Sequence, residues 1–176
     1  RIKKLQARLQ GQPGLIATLP AIEATRRQEL WNLRNAAMPL LLGLKGDRKP
    51  ATFIEDAAVA PEHLPRFVAR FRETLRRHGT DGSFYGHASV GCLHIRPLLN
   101  LKSTADVARM RAITEEISDL VLEFGGSLSG EHGDGLLRSE WNRKMFGDRV
   151  YGAFCAVKDA FDPHRLFNPG KIVHAP

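Results

Sequence analysis

Two short segments concentrate the residue types that do chemistry. Gly86-His87-Ala88-Ser89-Val90-Gly91-Cys92-Leu93-His94 and Gly130-Glu131-His132-Gly133-Asp134-Gly135 hold three of the seven histidines and, directly beside one of them, the carboxylate of Glu131 among glycines. Imidazole beside carboxylate binds a divalent cation or moves a proton near neutral pH, and glycine lets a ligand approach the backbone closely. Seven positions separate His87 from His94, and alternation along one straight strand would send them to opposite faces. A turn through Ala88–Cys92 containing Gly91 instead puts one imidazole on each arm of a hairpin, where both can face one ion. The spacing matches none of the short zinc patterns, so a purely structural role for two histidines beside a turn stays open.

Glu131 would complete a set of two imidazoles and one carboxylate, leaving coordination positions for water or substrate. Adjacent side chains in extended backbone diverge, so Glu131 and His132 would divide the work, one on the metal and the other toward the reacting centre. The competing reading is a flexible glycine turn in which Glu131 caps a helix and His132 is exposed. A phosphate loop is excluded, because neither Gly125–Gly130 nor Gly170-Lys171-Ile172 continues as G-K-[ST].

These segments need helices and strands to position them. Residues 61–78 start with Pro61 in a first turn and set Leu64, Phe67, Val68, Phe71 and Leu75 on one stripe, with arginines elsewhere and Gly79 as the stop. Residues 104–124 carry Val107, Met110, Ile113, Ile117, Leu120, Val121 and Phe124 at helical spacing, between Ser103 and Gly125-Gly126. A third helix is expected from Asp148 to Phe161, its stripe of Val150, Tyr151, Phe154, Val157 and Phe161 turned to the core, with Asp162-Pro163 ending it. Residues 1–35 read as helical, broken near Gly11-Gln12-Pro13-Gly14, with a helix over Glu23–Arg34. Strands are expected at Thr52–Ile54, Ser83–His87, Leu93–Leu98 and Ser127–Ser129. The order of strand, helix, two strands, helix and strand predicts an α+β fold: a ferredoxin-like antiparallel sheet with helices packed on one face, plus N- and C-terminal helical extensions.

With 176 residues and 43% hydrophobic content, the chain can bury a core and reads as a single domain over 1–176. It contains no run of 18 apolar residues, and Arg1-Ile2-Lys3-Lys4-Leu5 lacks the apolar stretch of a secretory signal. Two cysteines, Cys92 and Cys155, are too few for a disulfide framework, which points to a reducing compartment and a cytoplasmic location, with peripheral membrane association open for a larger protein. A start at Arg1 rather than Met suggests a piece of a longer polypeptide. The net charge of +7 resides in residues 1–50, where 10 Lys and Arg face 3 acids; the remainder is neutral. Those basic residues are scattered and lack interleaved aromatics, which argues for a solvated or partner-facing surface and against nucleic acid.

The residues resemble a known family. Flavin-linked D-2-hydroxyacid dehydrogenases of the vanillyl-alcohol-oxidase superfamily, which include D-lactate dehydrogenase and the glycolate oxidase catalytic subunit, typically carry G-H-x-G-D-G-N-x-H, then G-G-x-x-x-G-E-H-G-x-G, then D-P-x-x-x-x-N-P-G-K. Here stand Gly86 to His94, Gly125 to Gly135, and Asp162 to Lys171, in that order. Trp31-Asn32-Leu33-Arg34 looks like the family's upstream W-x-x-R, so the likeness covers roughly residues 25–173. Arg48-Lys49-Pro50, Glu55-Asp56 and Ser129–Gly135 look most like the large members fused to an iron–sulfur module.

The resemblance implies a substrate-binding cap domain of an FAD-dependent oxidoreductase that oxidises a D-2-hydroxy acid to a 2-oxo acid. It implies His87, His94 and Glu131 as ligands of a divalent metal such as zinc, manganese or iron, and His132 as the base for the substrate hydroxyl. It further implies Arg34 as a fork for the substrate carboxylate, with a surface arginine as the other reading, and Asn168 and Lys171 as contacts to FAD, with an ordinary Asn-Pro-Gly turn as the other. The expected partners are the 2-hydroxy acid, an N-terminal FAD-binding domain of the same polypeptide and an iron–sulfur electron-transfer module; the piece alone should be inactive. One departure stands out: Ser89-Val90-Gly91-Cys92 replaces the family's Gly-Asp-Gly-Asn, removing an acid and an amide. Cys92 there is a small turn residue that could also offer a thiolate. The rival function from another class is a non-catalytic metal-binding or protein-interaction module.

Overall fold

The computed structural model describes all 176 residues, which fall into two units, residues 1–44 and 45–176. In the first, helix α1 (Ile2–Leu9) ends at a turn through Gly11 and Gly14, both at positive φ (81° and 83°), as the Gly-Gln-Pro-Gly break predicts. Helix α2 (Ala24–Leu42) runs past the expected end at Arg34. Asn35–Met38 contain no breaker, and Pro39 withdraws only its own amide, so the helix continues until Gly43 donates its N–H to the Pro39 carbonyl (2.9 Å). Neither helix buries a residue.

The second unit is built on an antiparallel sheet of three strands, β1 (Lys49–Pro50), β2 (Gly82–His87) and β3 (Cys92–Leu99), in the order β1-β3-β2. The expected strand at Thr52–Ile54 is not one. Ala51 donates to the Pro97 carbonyl (2.8 Å), and the next ladder bond joins Ile95 N–H to the Glu55 carbonyl (3.0 Å), so four steps on one side oppose two on the other and residues 52–54 bulge out. Pairing resumes beyond the bulge, with Leu93 N–H on the Ala57 carbonyl (2.9 Å) and Val59 N–H on the Gly91 carbonyl (3.1 Å). Ser127–Ser129 likewise contributes only an isolated bridge, Ala58 and Ser127 exchanging two 2.8 Å hydrogen bonds.

Alternation along the strands separates two faces. Ile95 and Leu99 of β3 and Phe84 of β2 turn toward helices α3 (Leu64–Arg77) and α4 (Thr104–Glu123). The stripes read from sequence are the ones buried there: Phe67, Phe71 and Leu75 from α3, and Ile113, Ile117, Leu120 and Val121 from α4, with Val107 the exception, exposed on the first turn. Rings of Phe67, Phe71, Phe84 and Phe124 meet edge to face at 5.5–5.8 Å between centroids. Pro61–His63 form a 3-10 turn ahead of α3, three residues of the predicted helix.

Helix α5 (Asn142–Phe161) kinks at Gly147 (φ 74°, ψ 165°) and resumes at the expected Asp148. Its apolar stripe is not in the core. Val157 and Phe161 are exposed, and with Phe154 they line a cleft of about 710 Å³ shared with Phe167, Ile172 and Val173. Periodicity identifies an apolar face but not what covers it. No helix is long and apolar enough to cross a membrane.

Candidate active site

The face of the sheet turned away from α3 and α4 carries the polar residues. In the β2–β3 register Tyr85 opposes His94 and His87 opposes Cys92, so these four side chains and Arg96 share one surface. The arms are joined by a 3-10 turn over Ala88–Val90 and by Gly91 in the left-handed region (φ 72°). A Cβ on Gly91 would stand 1.6 Å from the Val59 carbonyl oxygen, so position 91 excludes every side chain.

The loop after Ser127–Ser129 crosses above that surface. Glu131 Oε1 lies 3.0 Å from His94 Nε2, 3.4 Å from His87 Nε2 and 3.4 Å from His132 Nε2. Three imidazoles thus surround one carboxylate oxygen. His94 is 4% exposed, whereas His87, Glu131 and His132 remain open to solvent, and the His94 and His132 rings stack with centroids 4.8 Å apart. Burial, then the neighbouring His132, lowers the His94 pKa against the opposing pull of Glu131, which favours the neutral imidazole, the form that can donate a lone pair. Ligand atoms of Asp56, Cys92, His94 and Glu131 also lie within 4.8 Å of one another. Burial and the nearby carboxylates of Asp56 and Glu131 push the Cys92 thiol up to about 11.

Beneath the loop sits an acidic pair, Glu55-Asp56. Glu55 Oε1 is 3.4 Å from His132 Nδ1, and Glu55 Oε2 is 2.9 Å from Arg96 Nη2, whose guanidinium lies over the Tyr85 ring. Carboxylates thus face both ring nitrogens of His132, Glu55 at Nδ1 and Glu131 at Nε2, each at 3.4 Å. Asp56 is fully buried and accepts hydrogen bonds from His132 N–H (2.7 Å), Glu131 N–H (2.9 Å) and Ser129 Oγ–H (3.0 Å). Burial pushes its carboxyl up, but these donors together outweigh it and hold the group below the usual aspartate value.

Arg96 and the specific contacts of Glu55 and Asp56 lie beyond what the sequence reading assigned. A signal was present, since two acids stand inside the apolar run Phe53-Ile54 and Ala57-Ala58-Val59, where a charge must be buried and partnered.

Arg34, Asn168 and Lys171 are the remaining expected residues. Arg34, in the N-terminal unit, stacks its guanidinium over the Trp31 ring at 5.5 Å and borders a cavity of about 310 Å³ with Arg27 and Leu30. Asn168 and Lys171 border the apolar cleft beside α5, the Lys171 ammonium donating to Asn168 Oδ1 (3.0 Å). The donor set at Glu131, two or three imidazole nitrogens and a carboxylate partly open to solvent, suits a divalent cation.

Residues 1–172 match the family described as FAD linked oxidases, C-terminal domain. The chain is 37% identical over 177 residues to D-2-hydroxyglutarate dehydrogenase of Pantoea ananatis (strain AJ13355), covering 98% of this chain and 17% of that protein. It is 29% identical over 143 residues to glycolate oxidase subunit GlcD of Bacillus subtilis (strain 168), covering 81% and 30%. Among solved structures, a 4-ethylphenol oxidase from Gulosibacter chungangensis in complex with isoeugenol aligns with a TM-score of 0.63 at 21% identity, over 97% of this chain and 35% of the other, a likeness of fold. The chain therefore spans less than a third of the curated relatives it matches. A family match running through almost every residue, on the fold just described, establishes that the chain belongs to the C-terminal domain family of FAD linked oxidases.

Proposed function

We propose that the chain is the substrate-facing domain of an FAD-dependent dehydrogenase that oxidises a D-2-hydroxy acid to a 2-oxo acid. The observation that carries this reading is the meeting of three imidazole nitrogens at Glu131 Oε1, 3.0–3.4 Å away, on one open face. His87, His94 and Glu131 would hold the divalent metal. His132, its Nδ1 toward Glu55, would take the substrate hydroxyl proton on Nε2. The metal would stabilise charge developing on the hydroxyl oxygen, and flavin held by a neighbouring domain would accept the C2 hydride. Arg34 would bind the substrate carboxylate and Asn168 and Lys171 the flavin edge, where the apolar cleft suits an aromatic ring. The relatives' names make 2-hydroxyglutarate, glycolate and lactate the substrates to try first. The hydrogen-bonded order, residues 127–130 beside 56–59 beside β3 beside β2, supports a degenerate ferredoxin-like sheet.

The test is anaerobic reduction of the protein joined to its FAD-binding domain. Mixing with a D-2-hydroxy acid should bleach the flavin, and His132→Ala should suppress bleaching while flavin stays bound. Bleaching at the wild-type rate in His132→Ala would remove the assigned base. A colourless protein that binds no flavin would favour a metal-binding or interaction module.

A further inference from the structure

Glu131 and His132 stand on a loop flanked by Gly130 and Gly133, residues that impose little backbone preference. Something else must hold the two side chains over His94. Three consecutive amides of that loop donate to one residue: Gly130 N–H to the Asp56 backbone carbonyl (2.7 Å), and Glu131 and His132 N–H to Asp56 Oδ2 (2.9 and 2.7 Å). Successive N–H groups of this kind form a concavity for an anion, here filled by the chain's own carboxylate. Ser129 Oγ–H adds a third donor to Oδ2 at 3.0 Å, and Cys92 Sγ–H points at Oδ1 from 3.6 Å. Asp56 in turn is pinned to the histidine-bearing strand, because its neighbours Glu55 and Ala57 accept the N–H groups of Ile95 and Leu93, on either side of His94.

We infer that Asp56 is a positioning residue: its buried carboxylate clamps the amides of Glu131 and His132 and thereby fixes that loop relative to His94 on β3. The inference deepens the proposed function, resting on Glu131 as a ligand and His132 as the base. Asp56 lies near enough to be taken for a ligand itself, but Oδ2 already accepts from three donors and Oδ1 faces the Cys92 thiol at 3.6 Å, which a metal on that oxygen would have to displace. Alanine removes the acceptor altogether, whereas asparagine could keep an oxygen at the Oδ2 position and would lose only the charge that strengthens these hydrogen bonds.

Two measurements on the full chain test this. Amide exchange followed by NMR should show Glu131 and His132 protected, and Asp56→Ala should speed their exchange by about tenfold or more, roughly the effect of one lost hydrogen bond. Leu93 and Ile95 amides should be unchanged. Zinc titration should show Asp56→Ala binding about 10–100-fold more weakly than wild type, the usual effect of removing a group that orients a ligand. Unchanged exchange at Glu131 and His132, or an equal acceleration at Leu93 and Ile95, would overturn the inference. So would zinc loss as complete as in Glu131→Ala without any change in exchange, which would make Asp56 a ligand. A wild-type chain that takes up no zinc would count against the metal reading alone, and the exchange measurement still decides Asp56. If Asp56→Ala does not fold, Asp56→Asn serves, since it removes the charge that strengthens both hydrogen bonds; the same two amides should accelerate by a smaller factor, and no change would overturn the clamp.

Discussion

His94 and His132 stack face to face, ring centroids 4.8 Å apart and planes inclined by 6°, although 38 positions separate them. One ring stands on the buried β3 strand and the other on an open loop, and both present Nε2 to the same Glu131 oxygen. A buried imidazole and a solvent-facing one thus share one carboxylate oxygen.

The first prediction concerns that shared oxygen. His87→Ala, His94→Ala and Glu131→Ala should each lose most of the zinc that the wild-type chain retains after gel filtration, measured by elemental analysis. Equal zinc in all four proteins would remove the ligand set.

Cys92 and Cys155 should differ in reactivity. The Cys92 thiol is buried and raised to about 11 by desolvation and the nearby carboxylates of Asp56 and Glu131, whereas Cys155 is only partly covered. Iodoacetamide at neutral pH should label Cys155 first, because the thiolate is the nucleophile. Mass spectrometry reads the order, and faster labelling of Cys92 would contradict the packing around Asp56.

Two phenylalanines on helices should behave oppositely. Phe71 on α3 is 0% exposed and Phe161 on α5 is 86% exposed. Phe71→Ala should cost about 3–5 kcal/mol in urea unfolding, and Phe161→Ala should stay within about 0.5 kcal/mol. A large loss from Phe161→Ala would mean that the cleft beside α5 is covered in solution.

Gly91→Ala tests the hairpin turn. Left-handed backbone alone costs a non-glycine residue about 1–2 kcal/mol, and here the new Cβ would also collide with the Val59 carbonyl oxygen at 1.6 Å. The unfolding free energy should fall by more than the backbone cost. A smaller loss would show that the β2–β3 turn relaxes freely.

Asp162 supplies a pH dependence. Its carboxylate accepts from Lys158 Nζ (2.6 Å) and from the amides of Leu166 (2.9 Å) and Phe167 (3.0 Å). The Lys158 hydrogen bond leads, opposed by burial and joined by those amides, in lowering its pKa from 3.8 to about 2. A depressed carboxylate stabilises the fold above its unfolded pKa, and that contribution disappears as pH falls through the folded one. Protection of the Leu166 and Phe167 amides should therefore hold down to about pH 3.8 and vanish by about pH 2. Asp162→Asn should weaken it at neutral pH, and protection unchanged in that variant would refute the role.

Much of the framework was legible in the residues. Helical spacing located the core stripes of α3 and α4, and Gly91 between His87 and His94 marked the turn, because periodicity and left-handed backbone are local properties. Motif wording placed the chain in its family. Other features required the folded chain. The bulge over residues 52–54 comes from register against β3, and the thinning of the strand at Ser127–Ser129 from register against Ala58, which no local propensity encodes. The α5 stripe was visible, but its cleft was not.

The amino-acid sequence by itself determined which residues could do chemistry: His87, His94, Glu131 and His132, set among glycines. Only the tertiary structure decided that Asp56, 75 positions before Glu131, would clamp that residue's loop, and that Glu55 would face His132. The physical reason is range. Side-chain type and spacing act over a few residues, whereas a shared site forms only when strand pairing and loop closure bring distant segments within hydrogen-bond reach.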